Sequence, residues 1–239
     1  MPLLPSSPVG FPHPEQALEE PDGLLAAGGA LTSEWLIEAY ARGIFPWFDR
    51  DDEHVLWWSP AQRAVLQPGH MRTPRSLLKR IRNAGFSVTV DREFEAVIDG
   101  CSERPGSDSG TWITPDMTAA YTHLHRDGLA HSFETWHGDE LVGGLYGIAL
   151  GRVFCGESMF SRMADASKVA FFAMQNVLAE WQFLTIDCQI MNPHLQSLGV
   201  SAIPRVEFLQ LLQRNPLDET RIGNWQKWLT SANLLDYAR

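Results

Sequence analysis

The chain has 239 residues, 44% of them apolar and 20% charged, and carries a net charge of −10. That length supports one large domain, or a medium domain with a small one, held by packing alone, and the composition excludes a disordered chain. Ten excess negative charges argue against a nonspecific nucleic-acid binder, because phosphate binding needs clustered Lys and Arg. Only a local basic patch could hold RNA.

The longest apolar run, LVGGLYGIALG at 141–151, is too short and glycine-rich to span a bilayer as a helix. The opening MPLLPSSPVGFPHP has no basic start and holds five prolines, which argues against a secretory signal and makes the cytosol the expected compartment. Cys101, Cys155 and Cys188 are odd in number and widely spaced, so they read as buried thiols rather than disulfides or zinc ligands. His123 and His125 fall on different sides of a helical stretch, and no metal site is expected.

In chain order, residues 1–14 form a Pro-rich lead-in and 19–29 (EEPDGLLAAGG) a region of turns. Thr32 or Ser33 caps a helix with Leu36, Ile37 and Tyr40 at helical spacing and Gly43 as its stop. IFPWF (44–48), the acidic loop Asp49 to Glu53 and VLWWSP (55–60) then bring Trp47, Trp57 and Trp58 together in a small N-terminal domain. These rings either fill its core or offer a platform for stacking a base. Core filling is the stronger reading for Trp57 and Trp58, whereas Trp47, placed after Pro46 in a loop, is evenly balanced.

Thr73 as cap and Pro74 at the first helical position begin a helix with Arg75, Lys79 and Arg82 at i, i+4 and i+7. Arg72 and Arg80 extend this basic face, and Leu77, Leu78 and Ile81 form the opposite apolar one. The face reads as a phosphate contact or as an ordinary solvated surface. FSVTV (86–90) alternates as a strand, Glu93 to Gly100 reads as a short helix, and SERPGSDSG (102–110) reads as a loop. Thr114, Pro115 and Asp116 open a helix that runs to Arg126 and stops at Gly128.

Strands at 131–136 and 140–150 follow, joined by the turn His137-Gly138-Asp139, and a third strand begins at Arg152. Asp165 caps the longest helix, 166–181, which leads into a buried strand at 183–190. The chain closes with a helix at 193–198, a strand at 201–203 and a helix at 206–214. Helix, antiparallel strands, helix, strand is an α+β order, and it is the order of the acetyltransferase-like fold.

Three segments could carry chemistry. With a strand period of two, Asp187 and Gln189 share one face and Cys188 takes the other, although an isolated Asp-x-Gln more often satisfies backbone donors. Glu157, in FCGESMFSRM (154–163), either awaits a cationic partner or pairs with Arg162 at a turn. The glycines of GGLYG (143–147) permit close approach of a ligand or mark a bulge. GxSxG, HExxH, P-loop and GxGxxG motifs are all absent from the sequence, and SRMADAS stands where coenzyme A-dependent acetyltransferases carry their pyrophosphate loop.

The segments FPHPEQALEEPDGLLAAGGALTSEWLIEAYARGIFPWF, LWWSPAQRAVL, GTWIT, ELVGGLYG, VFCGESMFSRMADASK and LTIDCQIMNPHLQSLG, followed by IPR, resemble those of one family, the leucyl/phenylalanyl-tRNA-protein transferases. The match spans nearly the whole chain. The resemblance implies a small N-terminal domain (1–60) and an acetyltransferase-like catalytic domain (61–239), with no cofactor. It implies transfer of Leu or Phe, with Met a third candidate, from aminoacyl-tRNA to acceptor proteins that begin with Lys or Arg, which marks them for N-end rule degradation by a cytoplasmic monomer.

By the same resemblance Trp47 and Trp112 hold the terminal adenosine, and Arg75, Lys79, Arg80 and Arg82 contact the acceptor stem. Leu145, Phe154, Met159, Phe171, Met174 and Ile186 form an apolar pocket for the amino-acid side chain, and Tyr121 and Asn192 complete the substrate site. Gln189 accepts a hydrogen bond from the attacking amine while Asp187 orients and polarises Gln189, or else the ribose hydroxyl of the substrate shuttles the proton and Asp187 mainly orders the site; Glu157 reads the basic acceptor residue. A coenzyme A-dependent acetyltransferase on the same fold and a noncatalytic tRNA-binding adaptor remain as alternatives.

Overall fold

The computed structural model describes residues 1–103, 112–229 and 235–236; most of the expected 102–110 loop lies outside them. The first strands are β1 (Leu3–Leu4), β2 (Leu24–Gly28), β3 (Phe45–Pro46) and β4 (Leu56–Trp58), with α1 (Ser33–Ala41) between β2 and β3. They form a four-stranded sheet in the order β1-β2-β4-β3. Trp57 is fully buried in it, stacked with Trp35 at 6.0 Å and donating its indole N–H to the Gly28 carbonyl. It is a core ring, as the stronger reading has it. Thr32 caps α1 by accepting from the Trp35 N–H.

The second sheet has seven strands in the order β11-β5-β10-β9-β8-β7-β6. They are β5 (Gln62–Leu66), β6 (Phe86–Val90), β7 (Ala130–His137), β8 (Glu140–Leu150), β9 (Val153–Ser161), β10 (Thr185–Asp187) and β11 (Ser201–Pro204). The helices are α2 (Arg75–Asn83), α3 (Phe94–Ser102), α4 (Pro115–Arg126), α5 (Ala166–Glu180), α6 (Pro193–Ser197) and α7 (Arg205–Gln213). Thr114 caps α4 as expected. Thr73 does not cap α2, because its hydroxyl bonds to Met71 O and the cap position falls to Pro74. Asp165 precedes α5 but makes no capping bond; its carboxylate turns to Lys168 and Arg80 instead.

Alternation along β8 and β9 divides the core between the two faces of this sheet. Leu145, Ala149 and Phe154 join α5 on one face, while Tyr146, Ile148 and Phe160 join α1, α3 and α4 on the other. α5 lies close to the sheet because β8 carries no side chain at Gly143, where a Cβ would sit 2.5 Å from that of Ala166. The paired glycines thus serve helix packing rather than the approach of a ligand.

The C-terminal segment is clipped to the α5 face by Trp225. Its ring stacks on His131 at 3.7 Å and its backbone N–H donates to Asp91, whose carboxylate also pairs with His131 Nδ1 at 2.9 Å.

The functional feature of the sheet is its one parallel pair. β10 pairs with β9 only where Thr185, Ile186 and Asp187 meet Val153, Phe154 and Cys155. Beyond that point β9 continues beside β8 to Ser161, whereas β10 ends. The strands therefore part, which opens the sheet at its centre. This is an α+β frame whose one parallel pair in the large sheet parts beyond Cys155 and Asp187, in the element order read from the sequence.

Candidate active site

A cavity of about 630 Å³ fills the opening. Leu145, Met159, Phe171 and Met174 supply an apolar wall, Trp47, Trp112 and Asp49 line it as well, and Glu157, Gln189 and Asn192 bring polar atoms. Nine of the thirteen residues expected at the catalytic and substrate positions meet in this one cavity, drawn from the β3–β4 connection, the segment before α4, β8, β9, α5 and the β10–α6 segment. Phe171 and Met174 lie one turn apart on α5, as a shared wall requires.

Glu157 is aimed by a bulge. Across β8 and β9 Tyr146 faces Ser158 and Gly147 faces Gly156, so Glu157 is the extra residue without a partner in the ladder. Its Oε1 accepts from Gln189 Nε2 at 2.9 Å and its Oε2 accepts from the Tyr121 hydroxyl at 2.8 Å. The Tyr40 hydroxyl lies 2.5 Å behind that of Tyr121. Burial pushes the Glu157 carboxyl up to about 7, although the hydrogen bonds from Tyr40, Tyr121 and Gln189 work against the shift. Arg162, its alternative partner from the sequence, pairs instead with Glu103.

Gln189 has left the strand. Its φ is +54°, a left-handed conformation that costs a non-glycine residue about 1–3 kcal/mol and needs support from its surroundings. The support comes from both sides: Gln189 N–H donates to Asp187 Oδ1 at 3.0 Å, and Gln189 C=O accepts from Ala64 N–H at 3.1 Å. The turn breaks the two-residue period, so Cys188 and Gln189 both line the cavity while Asp187 does not.

Asp187 is therefore placed differently from the expectation. It is fully buried, and its carboxylate takes two 2.7 Å hydrogen bonds from the Arg63 guanidinium. Arg63 in turn donates to the Gly43 carbonyl and lies between the rings of Phe45 and Phe208, each 4.8 Å away. Burial alone would lower the Arg63 pKa, but the Asp187 carboxylate outweighs it and raises the pKa further. Asp187 touches Gln189 through the backbone N–H, not through the side-chain amide that it was expected to orient.

Three pocket assignments also move back from the cavity. Phe154 and Ile186 are fully buried and face each other in the stretch where β9 and β10 are still paired, so they lie behind the wall. Phe154 packs under Gly147, where a Cβ would come within 2.6 Å of its ring. Tyr121 is fully buried and stands behind Glu157 and Tyr146 rather than lining the cavity.

Residues 65–213 match the family described as leucyl/phenylalanyl-tRNA protein transferase, and residues 29–61 match the N-terminal domain of that family. The chain belongs to this transferase family. A leucyl/phenylalanyl-tRNA–protein transferase from Chromohalobacter salexigens is 57% identical over 214 residues, covering 90% of this chain and 83% of the relative. Likeness to solved structures is remote. L-PGS from Bacillus licheniformis gives a TM-score of 0.40 at 12% identity, over 71% of this chain and 54% of that one. A GCN5-related N-acetyltransferase-like protein from Streptococcus suis gives 0.34 at 14%, over 72% and 64%.

In this member of the family the basic helix keeps Arg75, Lys79 and Arg82 exposed. Arg80 is partly tied down, because it donates to the Ala164 carbonyl and lies 3.8 Å from Asp165 at the start of α5. Among the described residues no group of His, Cys, Asp and Glu is arranged to hold a metal, and no helix is long and apolar enough to cross a membrane.

Site residues that sequence reasoning missed include Arg63, Tyr40, Tyr146 and Asp49. Arg63 gave a signal, since a cation in an otherwise apolar strand, RAVL, demands a buried partner. Tyr40 was visible only as a helix-face residue. Tyr146 lines the cavity, and its buried hydroxyl has no partner among the described residues.

Proposed function

We propose that this chain transfers Leu or Phe, with Met as a third donor, from aminoacyl-tRNA to the α-amine of proteins that begin with Lys or Arg. Members of the family that it matches carry the transferase name, and one observation supports the detailed reading most. A single cavity joins an uncharged wall of Leu145, Met159, Phe171 and Met174 to the side chain of Gln189.

The wall suits an aliphatic or aromatic side chain and penalises a polar one. Trp47, which is 42% exposed, and Trp112 take the terminal adenine, and stacking of this kind is worth about 1–3 kcal/mol per base. Arg75, Lys79 and Arg82 meet the acceptor-stem phosphates, with Arg80 bracing the helix against α5. Asp49 and Glu157 give the cavity the negative potential that draws a basic acceptor, and Asn192 borders the same space.

The reaction is aminolysis of an ester that is already activated, so no cofactor is required. An α-amine with a pKa of about 7.7–8.0 is partly neutral at pH 7. The neutral amine, hydrogen-bonded to Gln189 Oε1, attacks the ester carbonyl carbon. The C–O bond to the ribose breaks, and the proton lost by the amine goes to the departing ribose oxygen, directly or through the neighbouring ribose hydroxyl. Gln189 positions the nucleophile rather than taking a full proton, because an amide is a poor base. Positioning of this kind supplies about 7–11 kcal/mol in favourable cases.

Asp187 is assigned a role one step back: together with Arg63 it holds the backbone turn that aims Gln189. We take residues 1–60 as the small N-terminal domain and 61–239 as the catalytic one, in a monomer that works in the cytosol, where charged tRNA is available. Products marked in this way would enter N-end rule degradation.

Coenzyme A is a poor fit to the same frame. The start of α5, where such a fold would hold pyrophosphate, presents the Asp165 carboxylate. The test is incubation of the purified protein with labelled Leu-tRNA or Phe-tRNA and a peptide beginning with Arg. The expected result is label on the peptide α-amine, abolished by prior RNase treatment. Acetylation from acetyl-CoA without tRNA would overturn the assignment.

A further inference from the structure

We propose that Glu157 is the positioning residue that decides which end of the Gln189 amide faces the substrate. By claiming the amide nitrogen, its carboxylate leaves the amide oxygen turned to the cavity. The proposal rests on the transferase reading above and adds to it the group that orients Gln189, a task the sequence had suggested for Asp187.

A glutamine side chain is nearly symmetric in shape but opposite in chemistry at its two ends, so only its partners fix its direction. The partner that Gln189 has is Glu157, at 2.9 Å from Nε2. Among the described residues no other group bonds to the Gln189 side chain. An ionised carboxylate can only accept hydrogen bonds, so it can hold only the NH₂ end. The oxygen is then the end left for an incoming amine, which is the polarity that the reaction needs.

Glu157 is in turn held in its acceptor role. Tyr121 donates to its other oxygen, Tyr40 stands behind Tyr121, and the bulge fixes the direction of the side chain. The titratable groups around it are Tyr40 from α1, Tyr121 from α4, Tyr146 from β8, Cys155 from its own strand and Asp187 from β10, with Arg63 of β5 beyond Asp187. Once protonated, Glu157 can donate to the Gln189 oxygen. The amide is then free to turn and present NH₂ to the amine, which stops transfer.

Exchange of the two side chains tests this. In Glu157→Gln, Tyr121 donates to the single oxygen of the new amide, whose NH₂ then faces Gln189 and turns the Gln189 oxygen away from the cavity. The kcat for Leu-tRNA and an Arg-starting peptide should fall about 100-fold, the cost of a misplaced positioning group, with KM for Leu-tRNA unchanged. In Glu157→Gln combined with Gln189→Glu, the carboxylate at 189 accepts from the new amide with one oxygen and offers the other to the amine. The double variant should recover at least about tenfold of the lost kcat.

A side-chain amide spectrum of ¹⁵N-glutamine-labelled protein gives a readout that needs neither tRNA nor turnover. The Gln189 NH₂ signals should move as pH falls through about 7 in the wild type, and not in Glu157→Gln. Full kcat in Glu157→Gln, a double variant no better than the single one, or Gln189 signals indifferent to pH would each overturn the proposal. Absence of transfer by the wild type would instead overturn the transferase reading, and the spectra would still report on the amide.

Discussion

Arg63→Met removes the cation of a pair in which both side chains are almost completely buried. Asp187 then keeps only the Gln189 N–H and the weak Cys155 thiol as donors, in a buried site. Removal of one partner of a buried pair costs about 3–5 kcal/mol, because the other charge is left uncompensated. Asp187→Asn strands Arg63 in the same way and should cost a similar amount. The double variant Arg63→Met with Asp187→Asn leaves no buried charge: the new amide oxygen can still accept from Gln189 N–H, and the groups left unsatisfied are the new NH₂ and the Gly43 carbonyl, at about 1–3 kcal/mol each.

The two single losses should therefore fail to add by several kcal/mol in a urea-unfolding cycle. In transfer assays Arg63→Met should reduce kcat about as much as Asp187→Asn does, even though Arg63 does not line the cavity. An Asp187→Asn variant of wild-type stability but without kcat, beside a fully active Arg63→Met, would refute the architectural role and restore a chemical one to Asp187.

Other outcomes follow from the same geometry. Trp47→Ala, at an exposed ring, should raise KM for aminoacyl-tRNA by roughly 5- to 150-fold, the equivalent of about 1–3 kcal/mol of stacking, with little change in melting temperature. Arg75→Glu and Lys79→Glu should weaken tRNA binding, measured by filter binding at several salt concentrations, and flatten its salt dependence while leaving stability within about 0.5 kcal/mol. Glu134 is fully buried beneath the start of α3, and burial pushes its carboxyl up to about 7 from 4.5. Since its folded pKa lies above the unfolded one, its contribution is present below about pH 4.5 and is lost as pH rises through 7. Glu134→Gln should therefore flatten the fall in melting temperature between pH 5 and 8, by an equivalent of at most about 3 kcal/mol.

Periodicity and capping were enough to place most of the secondary structure. The α4 helix with its Thr114 cap and the β7–β8 hairpin fall where the pattern puts them, because there the local signal and the tertiary environment agree. Asp187 and Gln189 show where that reasoning stops. A strand rule was applied across 183–190, but β10 is only three residues long, and the positive φ at Gln189 is held by Asp187 together with Arg63 and Ala64, the last two from outside the segment. The same limit explains why Phe154 and Ile186 were placed in the pocket: the point at which two parallel strands part is set by a bulge and by helix packing, and neither is written in the spacing. The Trp225 clip escaped the sequence reading for a similar reason, since its partners Asp91 and His131 are more than ninety residues away.

Crystallisation with a stable amide analogue of 3′-leucyl-adenosine would examine the central claim most directly. The account predicts adenine against Trp47 and Trp112, the leucyl chain among Leu145, Met159, Phe171 and Met174, and the acyl carbon open to an amine held at Gln189 Oε1. Adenosine bound at a different surface, or a leucyl group directed away from the α5 wall, would contradict it.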